Sequence, residues 1–373
     1  MVRRICMGTL LLMLLQGHMR SAESSNPSDL LHVHLIPHTH CDPGWLDTFE
    51  RYATRDVNTI LYGILGALKA DRAKRFVWAE TSYLMRWWRD LNNEQRNGFR
   101  EIVRNDQLEF VGGGWVQNDE ANPSLEAVVN QMTEGHEHLL RVFGRRATVS
   151  TSWQLDPFGA SSLTPALAAR MGFRFHVINR IPFNVKRDLK NTADLEFVWR
   201  GTRLTEDLAG SDIFTHVLHT HYSAPKGFDW ENPGVQPVNN WNKGSRARTF
   251  ASLMRRRALA YKTKHLMVLW GDDFKFKRAG IQFRNMDLLM QAVRADAGLN
   301  IDLRYSTPRE YFEAVYREAL TRDVKFMLYS KDFFPYADNA DSYWTGYYTT
   351  RPTLKVSLML SKMLQRQAIA GSS

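Results

Sequence analysis

The densest concentration of chemically useful side chains is His38-Thr39-His40-Cys41-Asp42-Pro43-Gly44-Trp45. In an extended segment, residues two apart point the same way. His40 and Asp42 can therefore present a nitrogen and an oxygen to one cation. Zn²⁺ accepts both ligand types at about 2.0–2.2 Å. His38 lies on the same face, as a third ligand or as a partner that orients the others. The bland alternative is a satisfied histidine in a turn ended by Pro43-Gly44. The His-x-His-x-Asp spacing favours the metal.

Two further acidic positions stand out. Asp156 lies in Trp153-Gln154-Leu155-Asp156-Pro157-Phe158-Gly159, fixed by a turn and next to an aromatic ring. Asp272-Asp273 follows Val268-Leu269-Trp270-Gly271. If those adjacent carboxylates face each other they repel, and one has a raised pKa, which suits a general acid near neutral pH. Taken singly, each acid could equally cap a helix. Taken together, two carboxylates and a metal with Trp45, Trp115, Phe158 and Tyr222 to stack on a sugar ring form the arrangement of glycoside hydrolysis. The residues alone do not name the sugar.

Short apolar runs alternate with helical periodicity from Leu31 onward. His32–Pro37, Phe76–Ala79, Leu108–Val111, Thr148–Trp153, Phe175–Ile178, Phe214–Leu218 and His265–Trp270 read as strands, with Asn300–Tyr305 as a last short one. Val57, Ile60, Leu61, Ile64, Leu65 and Leu68 follow amphipathic-helix spacing, and Thr307-Pro308-Arg309-Glu310 is a helix start. Repeated strand-then-helix order predicts an α/β fold with a parallel sheet. Glu80, Asn118/Asp119/Glu120, Asp156, Arg180, Tyr222 and Asp272/Asp273 each follow a strand. A seven-stranded β/α barrel would gather them at one mouth, whereas an open sheet would spread them along a line. The barrel is therefore the expected architecture.

The 373 residues are 44% hydrophobic and 12% aromatic, which excludes a disordered chain. Arg3 and Arg4 precede an apolar run from Ile5 to Leu15, the anatomy of a signal peptide over 1–24. That run is shorter than the roughly 20 residues a membrane span needs, and no later segment is a candidate span. With Cys6 in the leader, Cys41 has no partner for an internal disulfide. The net charge of +10 is spread along the chain. Its one tight cluster, Arg255–Arg257, reads as a solvated helix face rather than a nucleic-acid patch.

His40-Cys41-Asp42-Pro43-Gly44-Trp45, Gly113-Gly114-Trp115-Val116 with Asp119-Glu120-Ala121, Asp156-Pro157-Phe158-Gly159, Gly271-Asp272-Asp273-Phe274 and Tyr343-Trp344-Thr345-Gly346-Tyr347-Tyr348 resemble, in this order, glycoside hydrolase family 38, the class II α-mannosidases. The resemblance runs from about Leu31 to the end of the chain. It implies a zinc-dependent retaining exo-α-mannosidase acting on mannose-containing oligosaccharides of glycoproteins. It implies that His40, Asp42 and Asp156 hold Zn²⁺, which grips the sugar hydroxyls at positions 2 and 3. Asp156 would double as nucleophile and Asp273 would be the acid and then the base. Trp45 would floor the mannose site, and Phe158, Arg180, Tyr222 and Asp272 would line it. It further implies a catalytic barrel over 30–320, a site-lining connection over 321–350, and the first helix of a truncated bundle over 351–373.

Two departures accompany the resemblance. The family's fourth zinc ligand lies in a His-His-Asp segment that this sequence lacks, its last histidine being His265. Family members also continue into further C-terminal domains. The expectation is a lysosomal or secreted enzyme whose activity in this chain is impaired by truncation. The rivals are an amidohydrolase-type metal hydrolase, using His38 and His40 with help from His216, His219 and His221, and an inactive fragment.

Overall fold

A computed structural model describes residues 30–202 and 212–358. The expected leader and most of the last helix lie outside those residues. The strands are β1 Leu31–Pro37, β2 Phe76–Trp78, β3 Leu108–Phe110, β4 Thr151–Gln154, β5 Phe175–Ile178, β6 Glu196–Arg200, β7 Asp212–Val217, β8 His265–Trp270, β9 Ile301–Tyr305 and β10 Met327–Tyr329, with the hairpin β11 Ala337–Asn339 and β12 Ser342–Tyr343.

The α/β class stands, with mixed sheets. β1 lies between β8 and β9 and is parallel to both; β2 pairs β3; a third sheet has the order β10-β6-β7-β5-β4. The expected seven-stranded parallel β/α barrel is not what these ladders form: among the described residues no closed barrel is present. The reasons are local. β2 and β3 have three residues each and ladder only with each other. β1 reaches β2 only through a bridge from His38 to Val77. β3 reaches β4 through Gly112 N donating to Thr151 O at 2.8 Å. β9 takes the lower part of the β1 edge, Leu31 to Leu35. β6, which the sequence reading passed over, enters antiparallel to β7.

β1 is buried almost throughout, with Val33, Leu35 and Ile36 fully enclosed, as a strand covered on both faces must be. The helix Asn58–Ala70 buries Ile60, Leu61, Ile64, Leu65 and Leu68 in the core, each contributing about 1.5–3 kcal/mol. The helix Pro308–Arg322 starts on the expected capping box, Thr307 with Glu310, and with Pro308 in its first turn. The expected solvated face at Arg255–Arg257 does not hold. Arg256 is exposed, but Arg257 is only 9% exposed.

One glycine fixes how the site is approached. A Cβ on Gly271, just after β8, would stand 2.0 Å from His38 O. Gly271→Ala is therefore expected to force β1 and β8 apart, lowering stability by about 1–3 kcal/mol. A denaturant midpoint equal to that of the parent chain would contradict this close approach.

Candidate active site

Pro37 ends β1, yet the chain keeps company with β8. His38 N donates to Trp270 O at 2.9 Å, His40 N to Asp272 O at 3.2 Å, and Phe274 N to His40 O at 2.8 Å. This extension places His40 opposite Asp273. Asp156 arrives from the loop after β4. Gly159 turns that loop at φ +98°, where any Cβ would meet the Phe334 ring. Gly159 N then donates to Arg180 O at 3.2 Å, tying the loop after β4 to the loop after β5.

The side chains converge on the buried imidazole of His40. Its Nε2 lies 3.1 Å from Asp42 Oδ1 and 3.6 Å from Asp156 Oδ2. His40, Asp42 and Asp156 each bring a ligand atom, and these atoms lie within 4.8 Å of one another. One imidazole nitrogen and two carboxylate oxygens suit zinc. Burial opposes a charge on His40, but hydrogen bonds to Asp156 and Asp42 and the field of Glu80 raise its pKa well above the usual value. The cluster thus holds more acid than base, and a divalent cation would balance it.

The two oxygens of Asp156 have different partners. Oδ2 faces His40. Oδ1 accepts from Arg180 Nε at 2.7 Å and from the Tyr222 hydroxyl at 3.1 Å. Burial pushes the Asp156 carboxyl up, but His40 and then Arg180 outweigh it and hold the pKa below the ordinary value. Asp273 goes the other way: burial raises its pKa, with Asp272 and Asp156 adding to the rise against His40 and Tyr222. Two acids in one site with pKa values pushed apart is the pattern of a nucleophile beside a general acid. Tyr222 also contacts Asp273 Oδ1 at 2.9 Å. Its single proton serves one carboxylate at a time.

Asp272 does not point its charge at the neighbouring carboxyl alone; one oxygen accepts from Asp273 N at 2.9 Å and fixes the turn. Phe158 packs edge-on against Trp344 and Tyr347, with ring centroids 4.9 and 5.3 Å apart. The Arg180 guanidinium lies over both the Phe158 and Trp344 rings, at 5.1 and 4.9 Å. Trp45 is 61% exposed on its loop and makes no ring contact among the described residues. Trp115 makes its ring contact with His138, tilted at 5.2 Å.

His38 is not part of the ligand group. Its Nε2 donates to Tyr222 O at 2.8 Å, and burial pushes its pKa down to about 4, so it stays neutral and positions the Tyr222 backbone. The histidines of the rival hydrolase reading do not join the cluster either. His216 is buried against Glu196 at 2.9 Å, and His219 and His221 line a separate cavity.

Glu80 follows β2, and its spacing alone does not tie it to the His40 cluster. Glu80 Oε1 lies 3.8 Å from His40 Nδ1 and accepts from Gln117 Nε2 at 2.6 Å, while Gln117 also reaches His40 Nδ1 at 3.1 Å. Burial raises the Glu80 pKa to about 7. The signal was a carboxylate alone in Phe76–Tyr83, at the end of an otherwise apolar strand. Partners behind a ligating imidazole tune metal affinity. If the His40 cluster holds a metal, Glu80→Ala is expected to weaken its binding by about 10–100-fold, read by competition of added zinc with a chromophoric chelator. Unchanged affinity would relegate Glu80 to a structural role.

The chain is similar to known proteins over most of its length. Residues 30–339 match the Glycosyl hydrolases family 38 N-terminal domain. Alpha-mannosidase B of Dictyostelium discoideum is 36% identical over 93% of this chain and 37% of its own length. Lysosomal alpha-mannosidase of Bos taurus is 37% identical over 92% of this chain and 36% of its own. Alpha-mannosidase 2 of Drosophila melanogaster is 35% identical over 88% and 31%. The chain thus spans about a third of the length of these relatives. The crystal structure of an alpha-mannosidase from Enterococcus faecalis V583 shares the fold, with a TM-score of 0.63 at 17% identity over 81% of this chain and 31% of that one.

Proposed function

The chain belongs to glycoside hydrolase family 38, and from that premise we propose that its site removes terminal α-mannose from N-linked oligosaccharides by a zinc-dependent, retaining mechanism. The observation that carries this reading is the shared hydroxyl of Tyr222. Its contacts of 3.1 and 2.9 Å cap the separation of Asp156 Oδ1 and Asp273 Oδ1 at 6.0 Å. Retaining enzymes place their carboxyls about 5–5.5 Å apart and inverting enzymes about 6.5–9.5 Å apart.

His40, Asp42 and Asp156 would hold the ion. Zinc supplies a Lewis acid that fixes and polarises sugar hydroxyls. Asp156 Oδ1, kept ionised by His40 and Arg180, attacks the anomeric carbon while Asp273 gives its proton to the departing glycosidic oxygen. Asp273, now a base, then takes a proton from the water that releases mannose from Asp156. Arg180 and Tyr222 steady the attacking oxygen, Phe158 with Trp344 walls the pocket, and Asp272 shapes the turn that presents Asp273. Trp45 sits on the open side, where a sugar ring would cover it.

The catalytic unit is 30–320, with 321–350 closing one side through Trp344 and Tyr347. The lysosomal relative favours a lysosomal or secreted location. No helix among the described residues is long and apolar enough to cross a membrane.

Chelation tests the metal. Removing zinc should lower the melting temperature and end hydrolysis of an aryl α-mannoside, and zinc should restore both. A ligand at 100 times its Kd adds about 2.7 kcal/mol to stability. Equal melting with and without chelator would overturn the zinc reading.

A further inference from the structure

An open cavity of about 370 Å³, separate from the His40 cluster, is lined by Tyr336, by one helix and by one loop. The helix Phe183–Asn191 supplies Lys186 and Lys190, and the loop after β7 supplies His219 and His221. Tyr336, hydrogen-bonded to Arg180, forms the shared wall. The His221 ring lies 3.9 Å from that of Tyr222.

The charges here are one-sided. Lys186 and Lys190 are four apart on one helix, where like charges repel. Lys186 spends its protons on Asn179 O and Oδ1, at 2.9 and 3.0 Å, and on Thr220 O at 3.4 Å, none of them ionic. Among the described residues, the Lys190 ammonium has no hydrogen bond or ion pair. His219 Nδ1 is buried and unpartnered. Behind them stands Arg257, only 9% exposed, its Nε also unpartnered and no carboxylate beside it among the described residues. The dipole at the end of the helix Lys243–Ala258 compensates it in part. Asp338 lines the cavity, with one oxygen accepting from Asn339, and Asp188 is taken by Arg187 at 3.0 Å.

A buried guanidinium and a free ammonium, neither paired with a carboxylate among the described residues, are costly unless something else brings the negative charge. We propose that this cavity is a binding site for a tetrahedral oxyanion, a phosphate or sulfate group, with Lys190 and His219 as donors and Lys186 and Arg257 as the surrounding positive field. The pKa shifts run in the same direction. Burial and neighbouring cations push Lys186 down to about 7 and His219 down to about 3, and lower Lys190 and Arg257. An anion would reverse each of these. The shared wall with the catalytic cluster gives the anion two sources, the free ion or an ester group on a glycan seated in the active site.

The test is calorimetric titration of the 373-residue chain with sodium sulfate and with inorganic phosphate, at constant ionic strength set by sodium chloride. Saturable binding is expected, and Lys190→Met and Lys186→Met should each raise the half-saturation about tenfold while zinc content stays unchanged. Heat no greater than that of chloride, or equal half-saturation in the parent and both variants, overturns the site. Mannose bearing a phosphate monoester separates the sources. Binding at least ten times tighter than inorganic phosphate, and lost in Lys190→Met, assigns the anion to the glycan. Binding equal to inorganic phosphate assigns it to the free ion. Because no turnover is read, the result stands apart from the fate of the mannosidase reading.

Discussion

Asp156→Asn is expected to abolish hydrolysis of an aryl α-mannoside, lowering kcat by about 10⁴-fold or more, and to strip zinc from the chain in the same step. Both effects trace to one side chain with two differently held oxygens. Oδ1 is aimed by Arg180 at 2.7 Å and Tyr222 at 3.1 Å, which is the task of a nucleophile. Oδ2 faces His40 Nε2 at 3.6 Å, within the group that could hold a cation. An amide keeps the shape but cannot attack and is a poorer ligand. Zinc per chain, measured after dialysis, decides the second half even where turnover is weak. A variant with its full complement of zinc would refute the shared role.

Asp273→Asn has a different signature. kcat/KM on an unactivated mannoside should fall by about 10²–10⁴-fold, with zinc retained, since Asp273 is not among the ligand group. A leaving group that departs without a proton should lose far less in the first step. The pH profile supplies an independent check. Burial and the neighbouring acids raise the Asp273 pKa, so the acid form persists above the usual carboxylate range. Activity then declines as pH rises through that raised value. The variant should lose this alkaline limb and keep the acidic limb set by Asp156. An alkaline limb unchanged by the substitution would assign the proton donor elsewhere.

How much was legible beforehand differs from residue to residue. The capping box at Thr307 and Glu310 and the apolar stripe of Asn58–Ala70 depend on neighbours within one turn or two, so spacing alone disclosed them. The pairing of His40 with Asp42 is of the same kind. The signature motifs identified the family because chemistry restricts which residues can follow one another at a strand end. The closed barrel failed for the opposite reason. Strand-helix alternation does not say that β2 stops after three residues, that β6 enters antiparallel, or that β9 occupies part of the β1 edge.

Arg257 and Glu80 show the same limit. In Arg255-Arg256-Arg257 nothing local distinguishes the buried guanidinium from its exposed neighbour; the helix phase and the sheet it meets make that choice. Glu80 becomes relevant only when its oxygen arrives beside an imidazole forty residues earlier in the chain. By itself, then, the sequence determined the elements, the reactive residue types and the family, because those rest on short-range sterics, periodicity and motif order. Tertiary structure alone decided which oxygen of Asp156 faces His40, how close Asp273 comes, and where positive charge is left without a partner. Those depend on distances between segments far apart in the chain, which only the folded backbone sets.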